Sequence, residues 1–246
     1  LAFLHYPTFI PKSHLLYYKR YTPKMLAKAK AIVTVSAFSK KDIMNQYAIA
    51  ADKINVVHNA AKEIFLPLTA EEKQATKEKF TGGKEYFIYA GAIHPRKNLV
   101  NLLKAFSLFK KRQQSSMKLV LTGRLAWKYD SFVTNLKTYK YRDDVVMTGY
   151  VEEAEVSKLV GAAYAFVYPS LFEGFGVPVL EAIQSDVPVI TSLNSSMQEI
   201  AKEAALYADP ESPAEIAEKM MLLYKDEKLR RQLIEKGRVT AKQYSW

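Results

Sequence analysis

The 246-residue sequence contains no cysteine, which excludes disulfides, thiolate catalysis and cysteine metal sites. Histidine is scarce as well: four are scattered along the chain, so a structural zinc site is not expected. No run of about 18 or more apolar residues occurs, and nothing reads as a membrane-spanning helix. A signal-peptide layout is missing and the chain begins at Leu1 rather than Met, so a piece of a longer protein is expected. A Walker loop, a Gly-x-Gly-x-x-Gly and an Asp-x-Asp are also lacking. The last of these absences argues against a metal-bridged diphosphate, and no metal site is expected. The lack of cysteine fits a reducing cytoplasm.

Negative charge is absent from the leading segment. Residues 1–41 carry eight Lys or Arg and no Asp or Glu. Residues 1–68 hold ten basic and three acidic side chains, against 26 and 22 in the remainder, for a net charge of +11. Such a segment calls for an anionic neighbour: a phosphorylated acceptor, an anionic membrane surface or nucleic acid. A solvated basic face is the alternative.

What is present is an alternation of short β-rich runs and helical runs, at an ordinary apolar fraction of 49%. That is the pattern of an α/β fold with a parallel sheet covered on both faces. Strands are expected at 31–36 and 53–58, with Ser36 or Ser39 capping a helix over 40–47 between them. After a connector at 65–69, a charged helix over 71–80 stops at Gly82-Gly83. The series then restarts with strands at 86–90, 118–121, 145–148, 164–168, 187–191 and 204–207, and two helices follow Pro213. Several of these strands end at glycine or proline, and ligands of open α/β sheets bind beyond the carboxyl ends of their strands.

Three loops there carry chemistry. In Ser170-Leu-Phe-Glu-Gly-Phe-Gly-Val-Pro-Val-Leu-Glu181, two carboxylates, Glu173 and Glu181, surround a glycine-rich turn that opens a helix. The helix N-terminus behind Gly174 and Gly176 presents free N–H groups and a positive dipole end, which suits a phosphate. Carboxylates beside such a site are better suited to accept from sugar hydroxyls, so the ligand suggested is a sugar nucleotide. In Gly91-Ala-Ile-His-Pro-Arg-Lys-Asn98, Arg96 and Lys97 fall at a helix start, where cations are unfavourable unless an anion binds. In Thr122-Gly-Arg-Leu-Ala-Trp-Lys128, Arg124 and Lys128 are further diphosphate candidates; a solvated loop with Trp127 packed inward is the alternative. Ser196 with Glu199 reads as simple helix capping. His5, in an apolar stretch, is more often structural than catalytic.

The stretch from Phe172 to Glu181 resembles the Glu-x7-Glu signature of glycosyltransferase family 4, retaining enzymes of GT-B fold. Val35-Ser-Ala-Phe-Ser-Lys40, Val56-Val-His-Asn-Ala60, Gly91 to Asn98, Asp209-Pro210 and Tyr244-Ser-Trp246 resemble further family elements in the family's order. The resemblance implies a GT-B-type Rossmann-like donor-binding domain over 67–246. Before it, 1–66 would be the remnant of a second, acceptor-side Rossmann-like domain. It implies that Glu173 contacts the transferred sugar, and Glu181 the ribose. The backbone of Gly174, Phe175, Gly176 and Val177 would meet sugar and diphosphate, Gly91 would belong to the phosphate loop, and Lys97 would neutralise the diphosphate. His5 falls on a family histidine that faces the sugar. Four positions depart from the pattern: Ala92 stands where arginine is frequent, with Arg96 as its substitute, Ala60 replaces glycine, Tyr6 an acid and Gln198 a proline.

The activity implied is hexose transfer, mannose among the candidates, from a UDP- or GDP-linked donor to a saccharide or lipid-linked acceptor in cell-envelope polysaccharide synthesis. The nucleotide sugar is a substrate, and no cofactor is expected. Nucleic acid is not an expected partner; the cytoplasm, with peripheral contact at the inner face of an anionic membrane, is the expected location. Two alternatives stay open: a GT-B-fold nucleotide-sugar epimerase, and a non-catalytic nucleotide-sugar binding domain.

Overall fold

A computed structural model describes residues 1–126 and 130–244; the candidates Trp127 and Lys128 and the terminal Ser245 and Trp246 lie outside the described residues. Two parallel sheets form among the described residues. The small one pairs β1 (Ile32–Thr34) with β2 (Ile54–Val56) around the helix Ala37–Tyr47. Ile32, Ile43 and Ile54 make its core, flanked by Leu26, Met44 and Tyr47. Ser36 caps the helix by accepting from Ser39 N, so the helix begins at Ala37, three residues before the expected start.

The large sheet contains β3 (Tyr86–Ala90), β4 (Lys118–Thr122), β5 (Val145–Gly149), β6 (Ala165–Tyr168), β7 (Val189–Ser192) and β8 (Ala205–Ala208). Its order is β5-β4-β3-β6-β7-β8, parallel throughout. The expected strand bounds hold to within a residue or two. Phe87, Ile88, Tyr89, Leu119, Val120, Leu121, Phe166 and Val167 are fully buried. Each such side chain contributes about 1.5–3 kcal/mol on leaving water, and runs apolar on both faces are what a doubly covered parallel sheet needs. After β5 the chain returns to the other side of β3 to lay down β6, so the strand order reverses between β3 and β6. A crevice opens at such a reversal, because the loops leaving the two strands diverge to opposite faces.

Three elements differ from expectation. The basic leading segment is a helix, Lys12–Lys28, with Pro23 inside it and no buried residue; Leu16, Tyr17, Tyr21 and Met25 are exposed. The helix expected over 71–80 runs Ala70–Thr81, because Thr69 and Glu72 form a reciprocal capping box. Ser196 does not cap the helix Met197–Ala201: its hydroxyl donates to the carbonyls of Glu173 (3.0 Å) and Phe175 (2.8 Å). Glu199 accepts instead from Ala37 N (2.7 Å) and Phe38 N (2.9 Å), so it caps a helix of the small sheet from across the molecule. Gln184 adds a second tie, donating to the carbonyls of Lys62 (2.9 Å) and Phe65 (3.0 Å), while Phe65 itself lies in the core of the large sheet.

Candidate active site

The ends of β3, β4 and β5 form one backbone shelf. Gly91 N donates to Thr122 O at 3.0 Å, and Gly123 N to Gly149 O at 2.9 Å. Gly123 has φ +136°, and a Cβ there would lie 2.1 Å from Gly91 O, so only glycine lets the two turns come this close. Past the shelf, Ile93 N donates to Arg124 O (2.9 Å) and Ala126 N to Ile93 O (3.0 Å), tying the two loops together.

The residues Pro95–Lys97 make a single 3-10 turn. Asn98 follows it at φ 63°, held through its side-chain amide by Pro169 O (3.1 Å) and Pro210 O (2.6 Å). This anchoring carries Arg96 and Lys97 across the strand reversal to the loop after β6, where both meet Glu173. One oxygen of that carboxylate, Oε1, receives Lys97 Nζ (2.5 Å), Ser170 Oγ (2.5 Å), Arg96 Nη1 (2.9 Å) and Tyr168 Oη (3.2 Å). The Lys97 amine also reaches the Tyr168 hydroxyl and lies 4.7 Å from the centre of its ring. Burial by itself would push Glu173 up, but Lys97 and Arg96 outweigh it and hold the carboxyl below its ordinary value. Burial likewise draws the Lys97 ammonium down, with Glu173 opposing. Two cations against one carboxylate leave the crevice positive, as an incoming anion requires.

A cleft of about 420 Å³ lies over the glycine shelf, lined among others by Gly91, Gly123, Arg124, Val151 and Pro178. Glu181 faces it from one turn inside the helix Val177–Gln184. Gly176 starts that helix at φ 114°, and Pro178 sits in its first turn, where no N–H is missed. Gly174 needs no such backbone; its carbonyl instead accepts from Ser36 (2.6 Å) and Ser39 (3.1 Å) of the small-sheet segment. The Phe175 side chain packs with Leu180, Ile200 and Tyr244, leaving its backbone as the part that can meet a ligand. Glu181 contrasts with Glu173: burial pushes it up to about 7, Lys62 only partly opposing and Glu153 adding to the rise. Two carboxylates eight positions apart thus occupy opposite electrostatic settings.

His5 stacks on Phe172, with ring centres 4.8 Å apart, and its Nε2 is 2.8 Å from Asp42 Oδ1. It stands beside the Glu173 loop but is itself held by a carboxylate. Tyr6 donates to Leu171 O at 3.2 Å. Sequence reasoning therefore named two groups that the fold separates: Glu173, Lys97, Arg96 and, through Phe172, His5; and Glu181, Gly91 and Arg124 around the cleft. It missed Lys62 and Glu153, which also line the cleft, and the Tyr168 and Ser170 hydroxyls that support Glu173. For the hydroxyls a signal existed, since both flank Pro169 at a strand end; Lys62 carried none.

The family model described as glycosyl transferases group 1 matches residues 70–240. The chain belongs to that family. Among curated relatives of this group 1 glycosyl transferase, O-antigen chain mannosyltransferase B of Escherichia coli is 32% identical over 98% of the chain. O-antigen chain mannosyltransferase RfbU of Salmonella typhimurium is 34% identical over 83% of it. The chain spans 63% of the length of the first and 54% of the second. Among solved structures, sucrose-phosphate synthase from Thermosynechococcus elongatus superposes with a TM-score of 0.80 at 19% identity, over 95% of this chain and 58% of that one. Anabaena HepE, solved in complex with UDP and glucose, gives 0.79 at 14% identity, over 92% and 64%. The fold is α/β with a parallel sheet, and the structures it matches are GT-B glycosyltransferases.

Proposed function

We propose that this chain carries the donor-binding half of a retaining hexosyltransferase of glycosyltransferase family 4. In this reading it moves mannose from a UDP- or GDP-linked donor to a saccharide or lipid-linked acceptor in cell-envelope polysaccharide synthesis. The names of the two O-antigen mannosyltransferases support the sugar and the process. Residues 67–246 hold the donor, and residues 1–66 belong to the acceptor-side domain. The enzyme works in the cytoplasm, at the inner face of an anionic membrane.

The observation that carries the reading is the positive Lys97–Arg96–Glu173 cluster at the strand reversal, beside a cleft with a half-buried carboxylate at Glu181. The diphosphate binds against Lys97, Arg96 and the free N–H groups that open the helix at Val177. Glu181 lies four residues along that helix, about 6 Å on, comparable to the span from a second phosphate back to a ribose. It accepts from the ribose hydroxyls, and Arg124 and the Gly91 turn border the same nucleotide. Glu173 keeps Oε1 for its cations and offers Oε2, which takes none of those bonds, to a hydroxyl of the transferred sugar. His5, steadied by Asp42, faces the sugar from the other side.

In the transfer, the bond from the anomeric carbon to the β-phosphate oxygen breaks. The acceptor oxygen attaches on the same face, and its proton passes to the departing phosphate. Lys97 and Arg96 stabilise the charge that develops on that phosphate, and the cleft's main service is positioning. Calorimetry with this chain tests the reading. UDP or GDP should bind, and Lys97→Ala should weaken the diphosphate about tenfold or more while weakening the matching monophosphate far less. If neither diphosphate binds, or Lys97→Ala weakens both phosphate forms alike, the diphosphate site is elsewhere.

A further inference from the structure

Besides Glu181 and Arg124, the cleft is lined by an ion pair that includes neither of the crevice cations Lys97 and Arg96. The Lys62 amine and the Glu153 carboxylate meet directly, with side chains 61% and 49% exposed. Each comes from a different part of the chain: Lys62 from the segment joining the two sheets, Glu153 from the first position of the helix Glu153–Gly161. Both line the same cleft as Glu181, and Lys62 acts on the Glu181 carboxyl electrostatically. The segment bearing Lys62 is pinned by Gln184, at the far end of the helix whose N-terminus faces the phosphates. The order along the cleft is therefore phosphate end, then Glu181, then the Lys62–Glu153 pair, which places the pair where the base of a nucleotide would fall. Tyr150, 72% exposed on the same wall, offers a ring for stacking, which supplies affinity to any base but discriminates little.

We propose that the base is guanine and that Glu153 and Lys62 read it. This rests on the sugar-nucleotide reading above. A cation and a carboxylate side by side match three consecutive groups on one edge of guanine. O6, with N7 next to it, accepts from Lys62, while N1–H and the 2-amino group both donate to the Glu153 carboxylate. Other bases fill the pair less well. Uracil sets its O2 carbonyl where guanine has the amine, opposing an acceptor to a carboxylate. Adenine and cytosine each give the carboxylate a single amine. Glu153 stands in the first turn of its helix, with the positive end of the helix dipole beside the carboxylate. Binding exchanges the Lys62–Glu153 bridge for bonds to the base; an exposed ion pair gives up little when it is broken.

Titration calorimetry with GDP, IDP, UDP, ADP and CDP tests this in the wild-type chain. IDP differs from GDP only in lacking the 2-amino group. GDP should bind about tenfold or more tightly than UDP, ADP and CDP, and several-fold more tightly than IDP. Glu153→Gln should abolish the preference for GDP over IDP, because that preference depends on the second carboxylate bond. Lys62→Met should weaken GDP and IDP together, since both carry O6, and leave their ratio intact. UDP binding as tightly as GDP, or a GDP-to-IDP ratio unmoved by Glu153→Gln, overturns the guanine assignment while leaving the nucleotide site standing. If none of the five diphosphates binds, the sugar-nucleotide reading falls and the guanine assignment with it.

Discussion

Replacing Glu181 with glutamine should make the ligand-free protein more stable at pH 8. The carboxyl sits on the first turns of a short helix, half-buried over the cleft, and burial raises it from an ordinary 4.5 to about 7. Holding the charge in the folded state at pH 8 therefore costs about 3 kcal/mol, at about 1.4 kcal/mol for each tenfold change in proton affinity. Between pH 4.5 and about 7 the folded chain retains a proton that the unfolded chain has released. Stability thus falls as pH rises across that window, and the deficit is complete above it. The amide of the Glu181→Gln variant is neutral throughout and nearly the same shape as the carboxyl, so it removes the slope. Urea unfolding of both proteins at pH 5, 6, 7 and 8 should show near-equal stability at pH 5. By pH 8 the variant should lead by up to about 3 kcal/mol, or roughly 6–12 °C in Tm for a chain of this size. Nucleotide binding should move the other way: weaker in the variant, and in the wild type tightening with pH through about 7 as the ionised acceptor becomes available. A variant no more stable than wild type at pH 8, or one that keeps the wild-type pH slope, would refute the burial argument.

Two further substitutions test how the site is built. Gly123→Ala puts a Cβ 2.1 Å from the Gly91 carbonyl at a φ of +136°, so the glycine shelf must separate. A loss of about 2–4 kcal/mol in urea unfolding is expected, with nucleotide affinity falling alongside it; a loss under about 0.5 kcal/mol would show that the shelf yields freely. Glu199→Ala leaves Ala37 N and Phe38 N without their acceptor and removes one of the ties between the two sheets, with those through Gln184, Ser36 and Ser39 left in place. It should cost about 1–2 kcal/mol and speed hydrogen exchange at the start of the helix Ala37–Tyr47, while exchange in β3 stays slow. Exchange rising equally in both places would count against a local tie.

The strands of the large sheet were legible because their code is local. Runs such as Tyr86–Ala90, apolar at every position and closed by a glycine, are long enough only for a buried parallel strand. The candidates Glu173, Lys97, Arg96 and Glu181 were legible too: cations at a helix start are locally unfavourable, and the two acids flank a glycine-rich turn that opens a helix. Helix Lys12–Lys28 was not: none of its residues is buried, and Pro23 stands inside it, where proline ordinarily ends a helix. Glu199 was misread as well. Its spacing from Ser196 suits a capping box, but capping depends on which N–H groups are nearest in space, and the free ones of Ala37 and Phe38 are 161–162 positions away in sequence.

By itself, then, the sequence determined the fold class, the succession of strand and helix, and the residue types at each strand end, all of which follow from burial and backbone preference over a few neighbouring positions. Only the tertiary structure decided how those ends meet. The return of β6 to the far side of β3 joins Glu173 to Lys97 and Arg96, and sets Glu181 over a separate cleft with Lys62 and Glu153. Charge pairing and desolvation depend on distance in space, which no spacing along the chain encodes. That is why one glutamate is held ionised and the other, eight residues on, is pushed up to about 7.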